Sequence, residues 1–498
     1  MATHPLCFWL PAEVDAQSLF DALGPGLKCQ IASRRSGRLR WLDTHRRSLL
    51  ADGGIAEFEP DTKGHLGRLV WRDLGSAHSR LRLRGVAWPI DASALAGRRP
   101  SARLAERMAG RALLPLLEVD QYCEQLDCRN ADGKTVLRLE LRAIGGRDEG
   151  RTLLLRPLRG YADDADTAAL RIGEITGVQA CGEDPFIRMA RAAGVTTCAP
   201  SAPASPKLRP RKDAASQLGA MAAAMVEPLR MNALGVRETP YDLEFLHELR
   251  VTVRRVRAIL IIARDCLNRK QREKLASELA WLQRAAGPAR DLDVQRLDIE
   301  PMRARLDAGL QSTVDAYAAH LDRARSVAQG SLERVLGSRR FERLLGLLAG
   351  LEALPKTGET LRDCAARRLG RRYRRIAKDI RELDDEAPDE SWHRLRSRAR
   401  MLRYGLEALQ SLCDGAAMAD LIRPLRGLQS DLGRYQDCVV ERARLERLAV
   451  QHPQFEALAR AMNQLLASDQ VGARERANQR IVHASHTKLR KRLRRCFG

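Results

Sequence analysis

Aromatic residues make up only 4% of this 498-residue chain. That scarcity argues against any scheme that stacks single-stranded bases on a platform of rings. No Cys-x-x-Cys pair occurs. Cys123 and Cys128 are the two nearest cysteines, and no further Cys/His pair stands beside them at zinc spacing. The eleven cysteines are odd in number and scattered from Cys7 to Cys496, which reads as reduced thiols in a cytoplasm. No run approaches about 18 consecutive apolar residues, so no membrane span is expected. The opening "MATHPLCFWLPAEVD" has neither a basic region nor a long apolar core, so no secretory signal is expected. Helix-turn-helix and zinc-finger patterns are also missing, which makes nucleic acid an unfavoured partner.

Positive charge is abundant. Lys and Arg total 86 against 63 Asp and Glu, a formal +23. Of these, 29 basic and 25 acidic residues lie in the first 200 positions, leaving 57 and 38 after them, so the net charge is +4 before the split and +19 after it. Most of the later cations are Arg, whose planar fork suits phosphate oxygens. A hydrophobic content of 44% over this length supports two or more packed domains.

The first 180 residues read as β-rich. "GRLRWLDT", "RLVWRDL", "SRLRLRGVAWPI", "KTVLRLELRAI" and "RTLLLRPL" are expected strands separated by turn residues, with a helical pattern starting at "PSARLAERMAG". "CAPSAPASPKLRPRKDAAS", residues 198–216, is a Pro/Ser-rich linker by composition. From 217 to 498 the pattern is almost wholly helical, with separate helices expected over 418–432 and 435–450 among others. The fold class expected is α+β in two domains: 1–197 β-rich and barrel-like with helices, 217–498 all-α.

The second part repeats itself. "HELRVTVRRVR" from His247 and "HRLRSRARMLR" from His393 share H-x-L-R-x-x-x-R-x-x-R, 146 residues apart. Arg recurs at offsets +3 (Arg250, Arg396), +7 (Arg254, Arg400) and +10 (Arg257, Arg403). The agreement continues through Gln at +36 (Gln283, Gln429), Gly at +40 (Gly287, Gly433) and Asp at +44 (Asp291, Asp437), with no gap. Fixed-period identity of this kind marks an internal repeat. At about 100° per residue, offsets 0, 3, 7 and 10 fall within an arc of about 80° over about 15 Å of axis. Each helix therefore carries a rail of one imidazole and three guanidiniums. Like charges at this spacing repel, so the rail must be solvated or meet an anion. A third run, "RRLGRRYRRIAKDI", repeats the spacing with Arg368, Arg371, Arg375 and Lys378. Arg372 and Arg374 lie off that face and are expected to point to solvent. "KLRKRLRR" near the C-terminus is expected to be a loose basic tail.

These residues resemble the CHAD domain, over about 217–498. The resemblance implies two four-helix bundles about a pseudo-twofold axis, with repeats starting near 217 and 359, and a basic central cavity that binds inorganic polyphosphate. Carried over by motif, the ligand-facing set is His247, Arg250, Arg254, Arg255, Arg257, His393, Arg396, Arg400 and Arg403. Tyr404 follows the second motif as a packing residue. Asp291 and Asp437 are wrong in charge for holding phosphate, so a cap or an anchor for an Arg is expected of them. Arg368, Arg371, Arg375 and Lys378 join the expected polyphosphate contacts. A cytoplasmic location, on polyphosphate granules, would follow.

"RLRWLDTHRRSLLADGG" and "VLRLELRAIGG" resemble two strands of the CYTH domain, the triphosphate tunnel fold. The departures are specific. The E-x-E-x-K opening strand of that family is replaced by "PLCFWLPAEVD", and the strand that should carry R-x-R reads "IAEFEP". A triphosphatase needs Mg²⁺ or Mn²⁺ and its carboxylate ligands. A degenerate tunnel with no catalytic residues is therefore expected, with Glu140 and Arg142 as remnants and Asp43 holding a turn. The readings open at this stage are polyphosphate binding, a CYTH-type triphosphatase with a CHAD accessory domain, and nucleic-acid binding.

Overall fold

A computed structural model describes residues 6–75, 78–95, 101–145, 151–199, 207–383, 387–483 and 486–497. The chain divides into two compact units, Met1–Ala202 and Pro203–Gly498. The first is built on an antiparallel sheet and the second is helical. Residues 200–206 of the expected linker lie outside the described residues. Its C-terminal end already begins a helix at Ala214, capped by the Asp213 side chain.

The first unit has strands β1 (Cys7–Leu10), β2 (Lys28–Asp43), β3 (Gly54–Pro60), β4 (Leu66–Asp73), β5 (Ser79–Ala87), β6 (Leu114–Arg129), β7 (Thr135–Ile144), β8 (Arg151–Pro157) and β9 (Gln179–Ala180). They run in the order β5-β4-β3-β2-β6-β7-β8-β1-β9. All five expected strands are present. No strand is expected from the sequence over β6, which pairs with β2 along nearly its whole length. Arg156 on β8 donates to Ser79 on β5 at 3.2 Å, six strands away in the sheet order, so the sheet is strongly curled.

Helices α1 (Ala16–Leu23), α2 (Ser48–Ala51), α3 (Ala92–Leu95), α4 (Ala102–Met108) and α5 (Ala162–Gly173) back one face of this sheet through two apolar clusters. The alternation of strand residues sends charges to the other face. Helix α6 (Pro185–Ala192) enters there, with Phe186 packed on Trp41 at a ring separation of 5.6 Å.

Asp43 is fully buried and accepts the backbone N–H of Thr44, Leu49 and Leu50, so it does hold a turn. The acids of "IAEFEP" are paired within the sheet. Glu57, 2% exposed, takes Arg72 at 2.6 Å and Arg142 at 3.1 Å, and Glu59 takes Arg68 through two bonds. Glu140 holds Arg142 and Arg156, so the expected remnants belong to one buried ionic network.

The second unit runs α7 (Ala214–Ala223), α8 (Val226–Glu238), α9 (Leu243–Ile262), α10 (Arg269–Ala285), α11 (Gly287–Arg303), α12 (Gln311–Leu336), α13 (Arg339–Ala349), α14 (Leu361–Arg381), α15 (Asp389–Ala408), α16 (Gly415–Gln451), α17 (Glu456–His483) and α18 (His486–Phe497). Where two helices were expected over 418–450, α16 is continuous, because Gly433 sits inside it as a contact for Arg396 rather than as a break. The terminal basic run is no loose tail. It forms α18, which buries Leu493, Cys496 and Phe497 and is tied by a Cys413–Cys496 disulfide. A second disulfide joins Cys29 to Cys128 across β2 and β6. These two bonds correct the expectation of reduced thiols throughout. Spacing along the chain does not reveal partners that strand pairing brings opposite each other. No helix among the described residues is long and apolar enough to cross a membrane.

Candidate anion-binding site

Helices α9 and α15 carry the two repeated motifs and pack against each other. Gly405 of α15 sits among these helices, where a Cβ would come within 3.1 Å of Leu369 on α14 and within ordinary contact, 3.4 Å, of Ile262 at the end of α9. The rails meet across this contact. Arg254 on α9 donates from Nε to the Tyr404 hydroxyl on α15 at 3.1 Å, and the Arg403 guanidinium lies 4.5 Å from the same ring. Tyr404 is therefore a shared bracket, buried but bonded to the rail.

The other repeated residues turn out to be the rails' partners. Arg257 donates to Gln283, and Arg403 donates to Gln429 at 2.6 Å, the same pair of offsets in each motif. Arg250 reaches the Ala286 carbonyl at 3.1 Å beside Gly287, and Arg396 passes Gly433 to reach Asp437 at 3.1 Å. Anchoring of an Arg is thus seen for Asp437. Asp291 stands near Arg250 as a charge neighbour.

Anchoring leaves donors over. Among the described residues, Arg396 Nε, Arg400 Nε and Arg290 Nη1 are buried without a hydrogen-bond partner. Burial, then Arg396 and Arg254, pushes the Arg400 guanidinium down to about 10, with Arg257 adding to the repulsion. His247 is half-buried. Its pKa is lowered by burial first and then by Arg290, against the opposing pull of Glu244. A neutral imidazole beside guanidiniums can accept one hydrogen bond and donate another.

The structure therefore brings together His247, Arg250, Arg254, Arg257, Arg396, Arg400 and Arg403. Arg255 and His393 are exposed, and Arg255 lies off the rail on another side of α9. The third run is a separate feature. Arg368 pairs with Asp265 and Lys378 with Glu382, while Arg371 and Arg375 are exposed. Arg372, expected in solvent, is half-buried instead. Burial and then Arg375, Arg368 and Arg398 push it down to about 10. It stands one residue before the buried Tyr373, at the edge of the apolar stripe that docks α14, and this draws it in. Arg290 is a cluster member that the sequence reading missed. Its repeat counterpart is Gln436, so self-similarity gives no signal there.

This is a helical unit with a repeated motif and a convergent arginine cluster. The CHAD domain family model matches residues 220–446, and these residues form a CHAD domain. The chain is 29% identical over 245 residues to two uncharacterized proteins of Mycobacterium tuberculosis, MT2285 (strain CDC 1551 / Oshkosh) and Rv2226 (strain ATCC 25618 / H37Rv). Those alignments cover 45% of this chain and 44% of each relative, so the similarity spans less than half the length of either. Among solved structures, the chain is similar to the CHAD domain from the plant Ricinus communis, with 23% identity, 59% of this chain and 96% of that one covered, and a TM-score of 0.47. PptA from Streptomyces chartreusis is similar at 22% identity, with 54% and 99% covered and a TM-score of 0.44.

Proposed function

We propose that the helical unit binds inorganic polyphosphate in a groove lined by the two rails, without making or breaking a bond, and that the halves bearing them are related by an internal pseudo-twofold. The observation that carries this reading is Arg400. It is a half-buried guanidinium with no ion-paired carboxylate among the described residues, only the nearby charge of Asp437, pressed by cations on its own helix and on α9, with one N–H unsatisfied. A flexible polyanion offers many oxygens to such a cluster, and Arg clamps without exchanging protons. Arg250, Arg254, Arg257, Arg396 and Arg403 supply the surrounding donors, and His247 hydrogen-bonds at one end of the α9 rail. Exposed His393 and Arg255, with Arg368, Arg371, Arg375 and Lys378, extend the cationic surface along which a longer chain would run.

The test is titration of long-chain polyphosphate into the protein. Each lost charge-assisted bond is worth about 1.5–3 kcal/mol, roughly ten- to a hundredfold in affinity. Arg400→Gln should weaken binding by that amount, and Arg250→Glu with Arg396→Glu should abolish it while helicity is retained. Undiminished affinity in the double variant would remove the groove from the account. Duplex DNA at equal charge should fail to displace polyphosphate; displacement would favour a nucleic-acid reading. Salt dependence alone would not separate the two. In cells, a tagged protein should collect on polyphosphate granules.

For the first unit the reading is a CYTH-like curled sheet that has lost catalysis. Its inward carboxylates do not fit a divalent ion, since Glu57 and Glu140 are each engaged by two arginines. Its inward arginines Arg72 and Arg142 are held in turn by Glu57, Asp184 and Glu140. Tripolyphosphate with Mg²⁺ or Mn²⁺ should release no phosphate. Release that disappears with Glu140→Gln would restore the enzyme reading.

A further inference from the structure

Two cysteines that remain free thiols stand in the geometry of a bonded pair. Cys7 opens β1. The register Phe8 with Ala180 and Trp9 with Gln179 carries on to set Cys7 opposite Cys181, and the Cys181 N–H donates to the Cys7 carbonyl at 2.8 Å. The two sulfurs are 3.0 Å apart although 174 residues separate them in sequence. Cys29 and Cys128, which are bonded, are likewise directly opposed across antiparallel strands. Directly opposed side chains bring their Cβ atoms close to the span a disulfide requires.

We infer that Cys7 and Cys181 are an oxidative modification site, a thiol pair that a small hydroperoxide closes into a disulfide stapling α6 to the sheet. The chemistry balances within the pair and the oxidant. The Cys7 thiolate attacks one oxygen of hydrogen peroxide, giving a sulfenic acid and hydroxide. The Cys181 sulfur then attacks the Cys7 sulfur and expels a second hydroxide. The two thiol protons convert both hydroxides to water. Two sulfurs are oxidised by one electron each, and the peroxide is reduced by two.

The surroundings suit this assignment of roles. The hydrogen bond with Cys181 favours the Cys7 thiolate, burial and Asp184 oppose it, and Arg72 and Arg142 support it. Both cysteines line a cavity of about 30 Å³, room for a water-sized molecule, which favours a small oxidant over a bulky disulfide.

The consequence follows from what Cys181 precedes. Strand β9 has only two residues and pairs with β1 alone. Three positions beyond Cys181, Asp184 accepts from Arg72 at 2.6 and 3.1 Å and from the Gly75 N–H at 2.7 Å, and it caps α6 through Phe186. In the reduced state those polar bonds and the packing of Phe186 hold α6. In the oxidised state a covalent link does so as well.

The experiment uses the full-length chain, reduced and then exposed to stoichiometric hydrogen peroxide, with alkylation of remaining thiols and peptide mapping. Hydrogen exchange of residues 179–192 is followed in parallel. The expected result is a peptide joining Cys7 to Cys181, with exchange across 179–192 slowed by about tenfold or more and restored on reduction. Cys181→Ser should remove both effects, while Cys198→Ser, at an exposed free cysteine, should change neither. Recovery of Cys7 as an alkylated thiol or sulfinic acid, under conditions that consume Cys198, overturns the pair. A link that leaves the exchange of 179–192 unchanged overturns the staple.

Discussion

Glu57 shows how a single residue can settle the character of a surface. Its carboxylate lies between Arg72 and Arg142 and accepts from the Trp41 indole N–H at 3.3 Å. Burial alone would raise its pKa, but Arg142 and Arg72 bring it down to about 2. Because the folded value lies below the ordinary value of 4.5, Glu57 contributes its full stabilisation above about pH 4.5 and loses it as pH falls towards about 2. A shift of that size corresponds to about 3 kcal/mol, as an order of magnitude. Glu57→Gln leaves two buried cations under-compensated and should cost about 3–5 kcal/mol. Urea unfolding followed by tryptophan fluorescence would show this as a lower midpoint at pH 7. The difference from the parent should shrink as pH falls from about 4.5 towards 2. A variant as stable as the parent at pH 7 would mean that water, not Glu57, neutralises the arginines.

Among the elements, helix starts and inter-helix ties rest on a few polar side chains. Asp213 caps α7 by accepting from the Ser216 N–H at 3.1 Å, and its other oxygen takes the N–H groups of Thr357 at 2.8 Å and Gly358 at 2.9 Å. One carboxylate thereby joins the start of α7 to the turn before α14. Asp213→Ala should cost about 1–2 kcal/mol, at the upper part of the range for a cap, because two further donors lose their acceptor. Asp213→Asn keeps an acceptor oxygen and should recover part of it in thermal melts. Equal losses in the two variants would show that charge, not capping geometry, is what counts.

The element scale also shows what was legible beforehand. The α9 and α15 rails could be read because Arg at +3, +7 and +10 fixes a face through helical geometry alone. The roles of Gln283, Gln429, Gly287 and Gly433 could not, since the repeat identified them as paired positions without saying that they meet the arginines. Strand β6 escaped because Gln121 and Cys123 face the charged interior while Tyr122 and Glu124 sit on the opposite face, so both faces carry polar residues and the apolar/polar alternation that marks a half-buried strand is blurred there. Arg290 and Arg372 escaped because burial between helices is a tertiary property. The Cys7–Cys181 and Cys29–Cys128 pairings depend on a strand order that spacing does not encode.

At the scale of the whole molecule, the charge asymmetry and the division into units coincide. The chain changes from net +4 to net +19 at residue 200, and the units meet at Ala202 and Pro203. In the first unit Arg72 and Arg142 are neutralised by its own carboxylates, although Arg35 Nε and Arg40 Nη1 there are also buried without a hydrogen-bond partner. The second leaves Arg400, Arg396 and Arg290 with unsatisfied N–H groups. Polyanion affinity should therefore travel with the second unit alone. A chain beginning at Pro203 should bind long polyphosphate within about threefold of the full-length protein, a difference of about 0.7 kcal/mol or less. The complementary chain ending at Ala202 should bind with at least about a hundredfold lower affinity at the same ionic strength. Both measurements belong at two salt concentrations, because counterion release would otherwise let a general basic surface imitate a shaped site. If residues 203–498 keep their helicity but lose most of the affinity, the curled sheet must contribute contacts of its own, and the self-neutralised interior argued for it would be wrong.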